Sequence, residues 1–224
     1  MTEIVRKFID LSHTIHDGLV TYKGIPGPII CDFLSREASR KHYEEGAEFH
    51  IPRIDMVANS GTYIDCAFHR YADGKDLSEM GLDRFADLPA VVVRVPHRER
   101  IEVRPSDFGC LDVTGKAVLV HTGWSEHWNT PAYFESHPFL TKEAAAQLRE
   151  RGARLVGIDS HNIDDTRSRN SRPVHTILLR NDILIVEHLR GLEQLPEGDF
   201  SFSAVPPKLK GMGTFPVRAY AQLA

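Results

Sequence analysis

The sequence predicts a single α/β domain built on mixed β-sheets. Short, largely apolar runs recur from residue 90 onwards, as at residues 90–95 and 117–121. Runs of this kind are typical of strands buried on both faces. The strongest helical segment lies between two of them, which is the alternation expected of an α/β domain. Because no stretch resembles a linker, we predict one domain over residues 1–224.

In the first half of the chain, loose alternation predicts a strand at Ile4–Leu11, and a second strand is predicted at Phe49–Val57. Two prolines and two glycines exclude regular structure at Lys23–Pro28. The charged segment Cys31–Gly46 is predicted to be a surface excursion. A short helix is predicted within Leu77–Phe85.

The chain beyond residue 90 contains the clearest elements. The best helix runs from Thr141, as N-cap, to Arg151, and Gly152 ends it. A short helix is also predicted at Pro173–Leu179, and Trp124–Pro138 is predicted to be irregular. The predicted strands share apolar or β-branched content and are Ala90–Val95, Ala117–His121, Leu155–Asp159, Ile183–Val186, Phe200–Val205 and Val217–Gln222.

Composition excludes several classes of protein. The 224 residues carry a net charge of −4, which gives no attraction to nucleic acid or to an anionic membrane. No window approaches the roughly 18 apolar residues of a membrane span, and the N-terminus does not resemble a secretion signal. The three cysteines contain no CxxC pair, which favours thiols in a reducing compartment. We therefore predict a cytoplasmic protein with a small-molecule substrate.

The stretch from Asn59 to His69 carries the first candidate site. Asn59, Tyr63, Asp65 and His69 follow one another at offsets of four, two and four. In an extended backbone, side chains separated by even offsets lie on one face, so all four are expected to point the same way. A carboxylate and an imidazole on one face form half of a metal or acid–base site. An ordinary polar turn remains the alternative.

His175 and Glu187 are predicted to form the second half. His175 lies at the start of a predicted helix, and Glu187 follows an apolar strand. Polar side chains at the ends of elements often face a common rim. Together with Asp65 and His69 they offer two imidazoles and two carboxylates, a set that suits zinc and, with open coordination positions, also manganese or iron. The alternative is an ordinary hydrogen bond for the histidine and a solvated strand end for the glutamate.

Several motifs resemble those of the putative cyclase, or kynurenine formamidase-like, family of metal-dependent hydrolases. The family signature His-x-Gly-Thr-His-x-Asp-x-Pro-x-His matches a stretch that here holds Asn59, Gly61, Thr62, Tyr63, Asp65, Ala67 and His69. The resemblance spans nearly the whole chain. Its other segments are Asp10–Ser12, His121–Trp124, Gly157–Ser160, Arg172–His175, Glu187–Leu189 and Pro216–Ala219.

This resemblance implies a swivelling β/β/α fold and assembly as a homodimer or homotetramer. It implies hydrolysis of an amide such as N-formylkynurenine, or of a cyclic amide such as isatin. Family members carry two zinc ions or one manganese ion. One ion takes the two signature histidines and the shared aspartate, and the other takes positions that match Asp65, His69, His175 and Glu187 here.

Asn59 and Tyr63 stand where the family has the two histidines of the first metal position. An amide and a neutral phenol are weaker zinc ligands than imidazole, so that position is predicted to be lost. The second position is intact. The prediction is therefore one divalent metal, zinc or manganese, in a hydrolase that cleaves an amide or a ring ester by metal-activated water.

Catalytic roles are predicted for three residues of the site. His69 or Glu187 would act as the general base, and Tyr63 would donate a hydrogen bond to the developing oxyanion. Asn59, Trp124 and Trp128 are predicted to wall the substrate pocket. Two rival functions stay open: a metal-free family member that binds a small molecule without turnover, and a metal-independent lyase or cyclase that uses Tyr63 and His69.

Overall fold

The structure is a computed structural model that describes residues 6–168 and 171–223. Its strands are β1 (Lys7–Asp10), β2 (Ile29–Leu34), β3 (Ile51–Asp55), β4 (Tyr63–Asp65), β5 (Leu88–Arg94), β6 (Glu102–Val103), β7 (Ala117–His121), β8 (Phe139–Leu140), β9 (Leu155–Ile158), β10 (Leu184–Glu187), β11 (Phe200–Ser203), β12 (Thr214–Pro216) and β13 (Tyr220–Leu223). The helices are α1 (Arg36–Ser39), α2 (Lys142–Glu150) and α3 (Pro173–Arg180).

One large mixed sheet carries the fold. Over the described ranges it contains nine strands in the order β1-β13-β11-β5-β7-β9-β10-β4-β12. Its centre, from β5 to β10, is parallel, and the strands outside it are antiparallel to their neighbours. β4 pairs with β10 so that Asp65 lies opposite Ile185 and Tyr63 opposite Glu187. This register brings the two halves of the predicted site to one end of the sheet.

Both faces of the sheet are buried, which explains why its central strands are uniformly apolar. Successive residues of β5 alternate between two core clusters: Val91 and Val93 belong to one, and Val92 belongs to the other. The cluster around Val91 also contains apolar side chains of α2 and α3, such as Leu148 and Leu178. These two helices therefore cover one face of the sheet.

The predicted α/β class with mixed sheets is confirmed, as are the elements with strong local signals. α2 begins after Thr141, whose hydroxyl accepts the backbone N–H of Ala144 as an N-cap should. The strands predicted around residues 90–95, 117–121 and 155–159 are all present. The division into one domain remains a prediction.

Three assignments need correction. β2 and α1 give regular structure to the segment predicted as a surface excursion, although β2 and β3 do form an exposed hairpin, with Phe33 74% exposed. The predicted helix within Leu77–Phe85 is two 3₁₀ turns, because Gly81 separates them. The last predicted strand begins only at Tyr220, because Val217 and Ala219 donate their backbone N–H groups to Thr62 and Ser12 instead of to a strand.

Two further predictions concern the first strand and the absence of a membrane span. The first predicted strand begins at Lys7, and its first two residues, Ile4 and Val5, lie outside the described residues. Within residues 6–168 and 171–223, no helix has the length and apolar content to cross a lipid bilayer.

Candidate metal centre

A cavity of about 320 Å³ opens at the end of the sheet where β4 and β10 meet. All four predicted metal ligands line it, and so do Asn59 and Tyr63. Its lining consists of Tyr22, Ile25, Asn59, Tyr63, Asp65, His69, Arg70, Asn162, Thr166, Arg172, His175 and Glu187. The two halves of the site, more than 100 residues apart in the sequence, therefore converge.

The Asn59–His69 stretch reaches the cavity by a route that differs from the predicted one. Only Tyr63–Asp65 is extended, Gly61 has a φ of 66°, and Ala67–His69 forms a 3₁₀ turn. The prediction of one continuous extended face was wrong, because the glycine and the turn bend the backbone. The turn nevertheless returns His69 to the cavity, with its Nδ1 3.9 Å from Asp65 Oδ1.

Asp65 is the least satisfied polar group of the site. Its carboxylate is fully buried, and neither oxygen has a hydrogen-bond partner among the described residues. Burial of an ionised carboxylate without a partner is costly, so such a group is expected to bind a cation. Asp65, His69 and His175 each offer a ligand atom, and these atoms lie within 4.8 Å of one another. The residues present therefore fit a divalent metal.

His175 is held in the orientation that a metal ligand needs. Its Nδ1 lies 2.6 Å from Asp164 Oδ2, so this nitrogen carries the proton that Asp164 accepts. Its Nε2 then faces Asp65 at 3.7 Å and Glu187 at 3.8 Å. A carboxylate behind a ligand histidine fixes the ring and its tautomer.

Negatively charged side chains surround His175 and raise its pKa. Burial acts to lower the pKa of His175, but the hydrogen bond with Asp164 and the negative charges of Glu187 and Asp65 outweigh it and raise the pKa to about 10. In the metal-free protein, a proton on this ring therefore occupies the position that a cation would take.

Glu187 is better satisfied than Asp65. Its Oε1 accepts the backbone N–H of Ile163 at 2.7 Å, and its Oε2 accepts the Tyr63 hydroxyl at 2.5 Å. Burial raises the pKa of Glu187 to about 7, against the opposing charge of His175. Since donors already serve both of its oxygens, Glu187 has less need of a cation than Asp65 has.

Two phenols complete the floor of the cleft. The hydroxyls of Tyr22 and Tyr63 lie 2.9 Å apart, and Tyr22 also bonds with the carbonyl of His161 and with Asn162. Burial, and after it the charge of Glu187, raises the pKa of both tyrosines well above the usual value. Both side chains are therefore neutral hydrogen-bonding groups at physiological pH.

The predicted aromatic wall is not at this cavity. Trp124 is buried, and its indole N–H donates to the carbonyl of Tyr133. Trp128 stacks on His13 with ring centroids 4.0 Å apart. The lining residues within the described ranges include neither tryptophan. Trp124 packs against His97 and His127, and Trp128 packs against Tyr133 and His188.

The sequence interpretation missed three residues of the site: Tyr22, Asn162 and Asp164. Asp164 and Asn162 lie just beyond the Asp159–Ser160 motif, so the motif could have pointed to them. Tyr22 lies in a loop with no recognisable pattern, and its contact with Tyr63 spans 41 residues. No local signal could have identified it.

Fold and side chains together define an α/β protein with a candidate single-cation site of imidazole and carboxylate donors. A family model described as putative cyclase matches residues 9–165. A kynurenine formamidase of Geobacillus thermodenitrificans is 27% identical over 218 residues, which cover 96% of this chain and 97% of that protein. One from Bacillus cytotoxicus is 27% identical over 213 residues, 95% and 96% of the two chains.

Solved structures show the same fold. A potential metal-dependent hydrolase with cyclase activity superposes with a TM-score of 0.79 at 26% identity, over 98% of both chains. Isatin hydrolase A from Labrenzia aggregata superposes with a TM-score of 0.82 at 21% identity, over 97% of this chain and 94% of that one.

This chain belongs to the putative cyclase family. Its relatives named kynurenine formamidase and isatin hydrolase are hydrolases that act on carbon–nitrogen bonds other than peptide bonds.

Proposed function

We propose that this protein is a metal-dependent hydrolase that cleaves an amide, either an arylformamide or a cyclic amide, or a ring ester. One observation supports the proposal above all: the buried carboxylate of Asp65, without a hydrogen-bond partner in the described part of the chain, faces two imidazoles. The kynurenine formamidase relatives, aligned over nearly the full chain, support the choice of substrate class.

Asp65, His69 and His175 are the ligands that the geometry favours. They are the three whose donor atoms lie within 4.8 Å of one another. Glu187, predicted as both a ligand and a catalytic group, fits the second role better, because Tyr63 and Ile163 already donate to its oxygens. Three protein ligands also avoid the closed, four-ligand coordination of structural sites.

A divalent ion at these ligands would supply Lewis acidity, which polarises a carbonyl and makes water a better nucleophile. The chain's own groups would provide the proton transfers. Glu187 is placed to accept a proton at Oε1, which lies 3.8 Å from His175 Nε2 on the cavity side. Its pKa of about 7 suits a general base at neutral pH.

Tyr63 would position this base. Its single hydroxyl proton already bonds with Glu187, so it is not free to donate to an oxyanion without breaking that contact. We therefore assign Tyr63 to orient Glu187, in place of the predicted oxyanion contact. Asn162, 3.4 Å from the same oxygen, adds a second restraint.

The test uses purified, untagged protein loaded with zinc or with manganese. Turnover of N-formylkynurenine or a cyclic amide is expected with metal, and it should disappear with a strong chelator and return when metal is restored. His175→Ala should lose about one equivalent of metal together with its turnover. Metal content below about 0.2 equivalents after loading would contradict the proposal.

Two rival functions are separated by the same experiment. A lyase or cyclase that uses Tyr63 and His69 is favoured by the position of both side chains in the lining of one cavity, where they could act without a cation. Its activity should survive the chelator. A non-catalytic binding protein should bind the amide with no turnover under any metal condition.

The oligomeric state and the cellular location of the protein remain predictions. The homodimer or homotetramer implied by the resemblance would appear in multi-angle light scattering at micromolar protein, and a monomer there would contradict it. The cytoplasmic location would be tested by fractionation of the source cells.

A further inference from the structure

A second cluster of metal-binding side chains lies outside the cleft. His97 follows β5, and Glu126 and His127 belong to the 3₁₀ turn that follows β7. The Nε2 atoms of His97 and His127 lie 3.3 and 3.6 Å from the same oxygen, Glu126 Oε1. All three ligand atoms lie within 4.8 Å of one another. None of these residues lines the Asp65 cavity.

The tautomer of His97 is fixed in the form that binds metal. Its Nδ1 lies 3.0 Å from the carbonyl oxygen of Thr122. A carbonyl only accepts, so Nδ1 carries the proton and the neutral ring keeps a lone pair on Nε2. A backbone carbonyl behind a histidine is the usual partner of a ligand imidazole. Nε2 is the nitrogen that faces Glu126.

The other groups are also held in place. Arg98 donates to the carboxylate of Glu126, at 3.2 Å from Oε1 and 3.3 Å from Oε2, which restrains that side chain. Trp124 is buried and packs edge-to-face against both rings, with centroids 5.2 Å from His97 and 4.5 Å from His127. The two imidazoles therefore rest against a rigid surface.

We propose that His97, Glu126 and His127 form an auxiliary zinc site, separate from the cleft. Zinc bonds of about 2.0–2.1 Å in tetrahedral geometry place neighbouring ligand atoms roughly 3.3 Å apart. The observed separations of 3.3 and 3.6 Å fit this spacing with little movement. Two imidazoles and one carboxylate leave a fourth position for water. Arg98 would keep Oε2 while Oε1 binds the ion.

The site would join two loops that follow neighbouring parallel strands. β5 and β7 pair directly, and their following loops carry His97 and the Trp124–His127 turn. An ion that binds the folded state and not the unfolded state stabilises the protein, and the gain rises with the logarithm of the ion concentration once that exceeds the dissociation constant. Zinc at this site would therefore raise the melting temperature without entering the cleft.

The test compares zinc binding by equilibrium dialysis at about 10 µM free zinc in four proteins: wild type, His127→Ala, His175→Ala and the double variant. His127→Ala should lower the zinc content by one equivalent in both backgrounds, which separates this site from the cleft. His97→Gln should have the same effect. His50→Ala, which alters an exposed histidine 2.7 Å from Asp32, is the matched control and should leave the zinc content unchanged.

Turnover and melting temperature provide two further measurements. Hydrolytic turnover should be unchanged in His127→Ala, which shows that the variant folds. Zinc should raise the melting temperature of His175→Ala but not that of the double variant. Equal zinc content with and without His127, or binding seen only at millimolar zinc, would overturn the proposal.

Discussion

At the scale of single residues, Asp65 carries the strongest indication of a ligand. A buried carboxylate usually accepts several hydrogen bonds, as Asp159 does from Thr122 and Gly123. Asp65 is as buried as Asp159, yet its oxygens have no such donors in residues 6–168 and 171–223. The contrast between two aspartates of one molecule separates a structural role from a candidate metal-binding role.

Asp65→Asn tests that difference. The amide keeps the shape of the side chain but removes the charge, so the metal content is expected to fall by about one equivalent, the ion of the cleft. Metal analysis after dialysis measures it. Asp73→Asn, at an exposed aspartate paired with Arg180, is the control and should retain full metal content. Equal metal in both variants would exclude Asp65 as a ligand.

Tyr63→Phe tests the assignment of the phenol to Glu187. Loss of the 2.5 Å hydrogen bond removes a donor from a buried carboxylate, so turnover is expected to fall about tenfold while KM changes little. The pH profile should also move: without this donor, which lowers the pKa of Glu187, the base should ionise at higher pH. Steady-state kinetics between pH 6 and 9 measure both effects. An unchanged profile would remove Tyr63 from the mechanism.

Residue types at the site could largely be predicted from the sequence, and their roles less so. Asp65, His69, His175 and Glu187 all reach the cavity as expected. Two hydrogen bonds distinguish the role of Glu187 from that of the proposed metal ligands. They come from the Tyr63 hydroxyl and from the backbone N–H of Ile163. A backbone donor has no sequence signature, so this distinction required coordinates.

At the scale of elements, the start of α3 depends on one side chain. Asp164 accepts the backbone N–H groups of Val174 at 2.8 Å and His175 at 3.0 Å, and also the ring of His175. It therefore caps a helix and orients a ligand together. The missing N-cap at Arg172 is replaced by a residue from outside the helix.

Asp164→Asn should weaken both functions. An amide oxygen is a poorer acceptor than a carboxylate, so metal affinity is expected to fall about 10- to 100-fold. Stability should fall by about 1 kcal/mol through the weaker cap. Competition with a chelator and urea unfolding measure the two effects. Asp165→Asn, at the neighbouring and partly exposed aspartate, should change neither. Equal affinity in the two variants would refute the orienting role.

The loop before β12 determines the position of the Ala67–His69 turn. Gly213 accepts the N–H of Cys66 at 2.9 Å, and a Cβ at this glycine would overlap the backbone nitrogen and Cα of His69. Gly213→Ala is therefore expected to cost about 2 kcal/mol of stability and to weaken metal binding by displacing His69. Gly198→Ala is the control, because a Cβ there would meet only Val91 Cγ1 at 3.9 Å, an ordinary van der Waals contact. Full metal affinity in Gly213→Ala would contradict this account.

Elements were predictable where their signals are local. α2 has its cap, its apolar face and its stop within twelve residues. The hairpin of β2 and β3 was only half predicted, because its strands pair across a long charged segment and Ile29–Leu34 shows no alternation of burial. Pairing between distant segments leaves no periodic trace in either one.

At the scale of the whole molecule, a group of buried and half-buried histidines packs next to the two tyrosines of the cleft. His13, His161 and His188 are connected through aromatic contacts with Tyr22, Trp128 and Tyr133. Burial lowers the pKa of His13 and of His161 to about 3, and it lowers that of His188 well below its usual range. The strand order that assembles this interior could not be predicted from the sequence, since it joins segments from both ends of the chain.

These histidines couple stability to pH. Each is neutral in the folded protein, but in the unfolded chain it takes up a proton near pH 6.5. The stability they confer is therefore complete above pH 6.5 and is lost as pH falls towards about 3. Each histidine contributes a slope of up to about 1.4 kcal/mol per pH unit.

Other groups of the cleft act differently over the same range. Glu187, with its pKa raised to about 7, opposes the trend, because the folded state then holds the extra proton. His175, with a pKa of about 10, is charged in the folded and the unfolded protein well below pH 6.5, so it adds no slope to the free energy of unfolding in that range. The net slope therefore mixes several groups, and a single-site comparison is needed to isolate one histidine.

His161→Gln provides that comparison. The glutamine does not titrate, so between pH 6.5 and 5 the free energy of unfolding of the variant should fall less steeply than that of the wild type, by up to about 1.4 kcal/mol per pH unit. Urea unfolding of metal-free protein at four pH values measures the difference. His42→Gln, at an exposed histidine, should keep the wild-type slope. Parallel curves for His161→Gln and the wild type would mean that His161 is already protonated in the folded protein, against the desolvation expected from its burial.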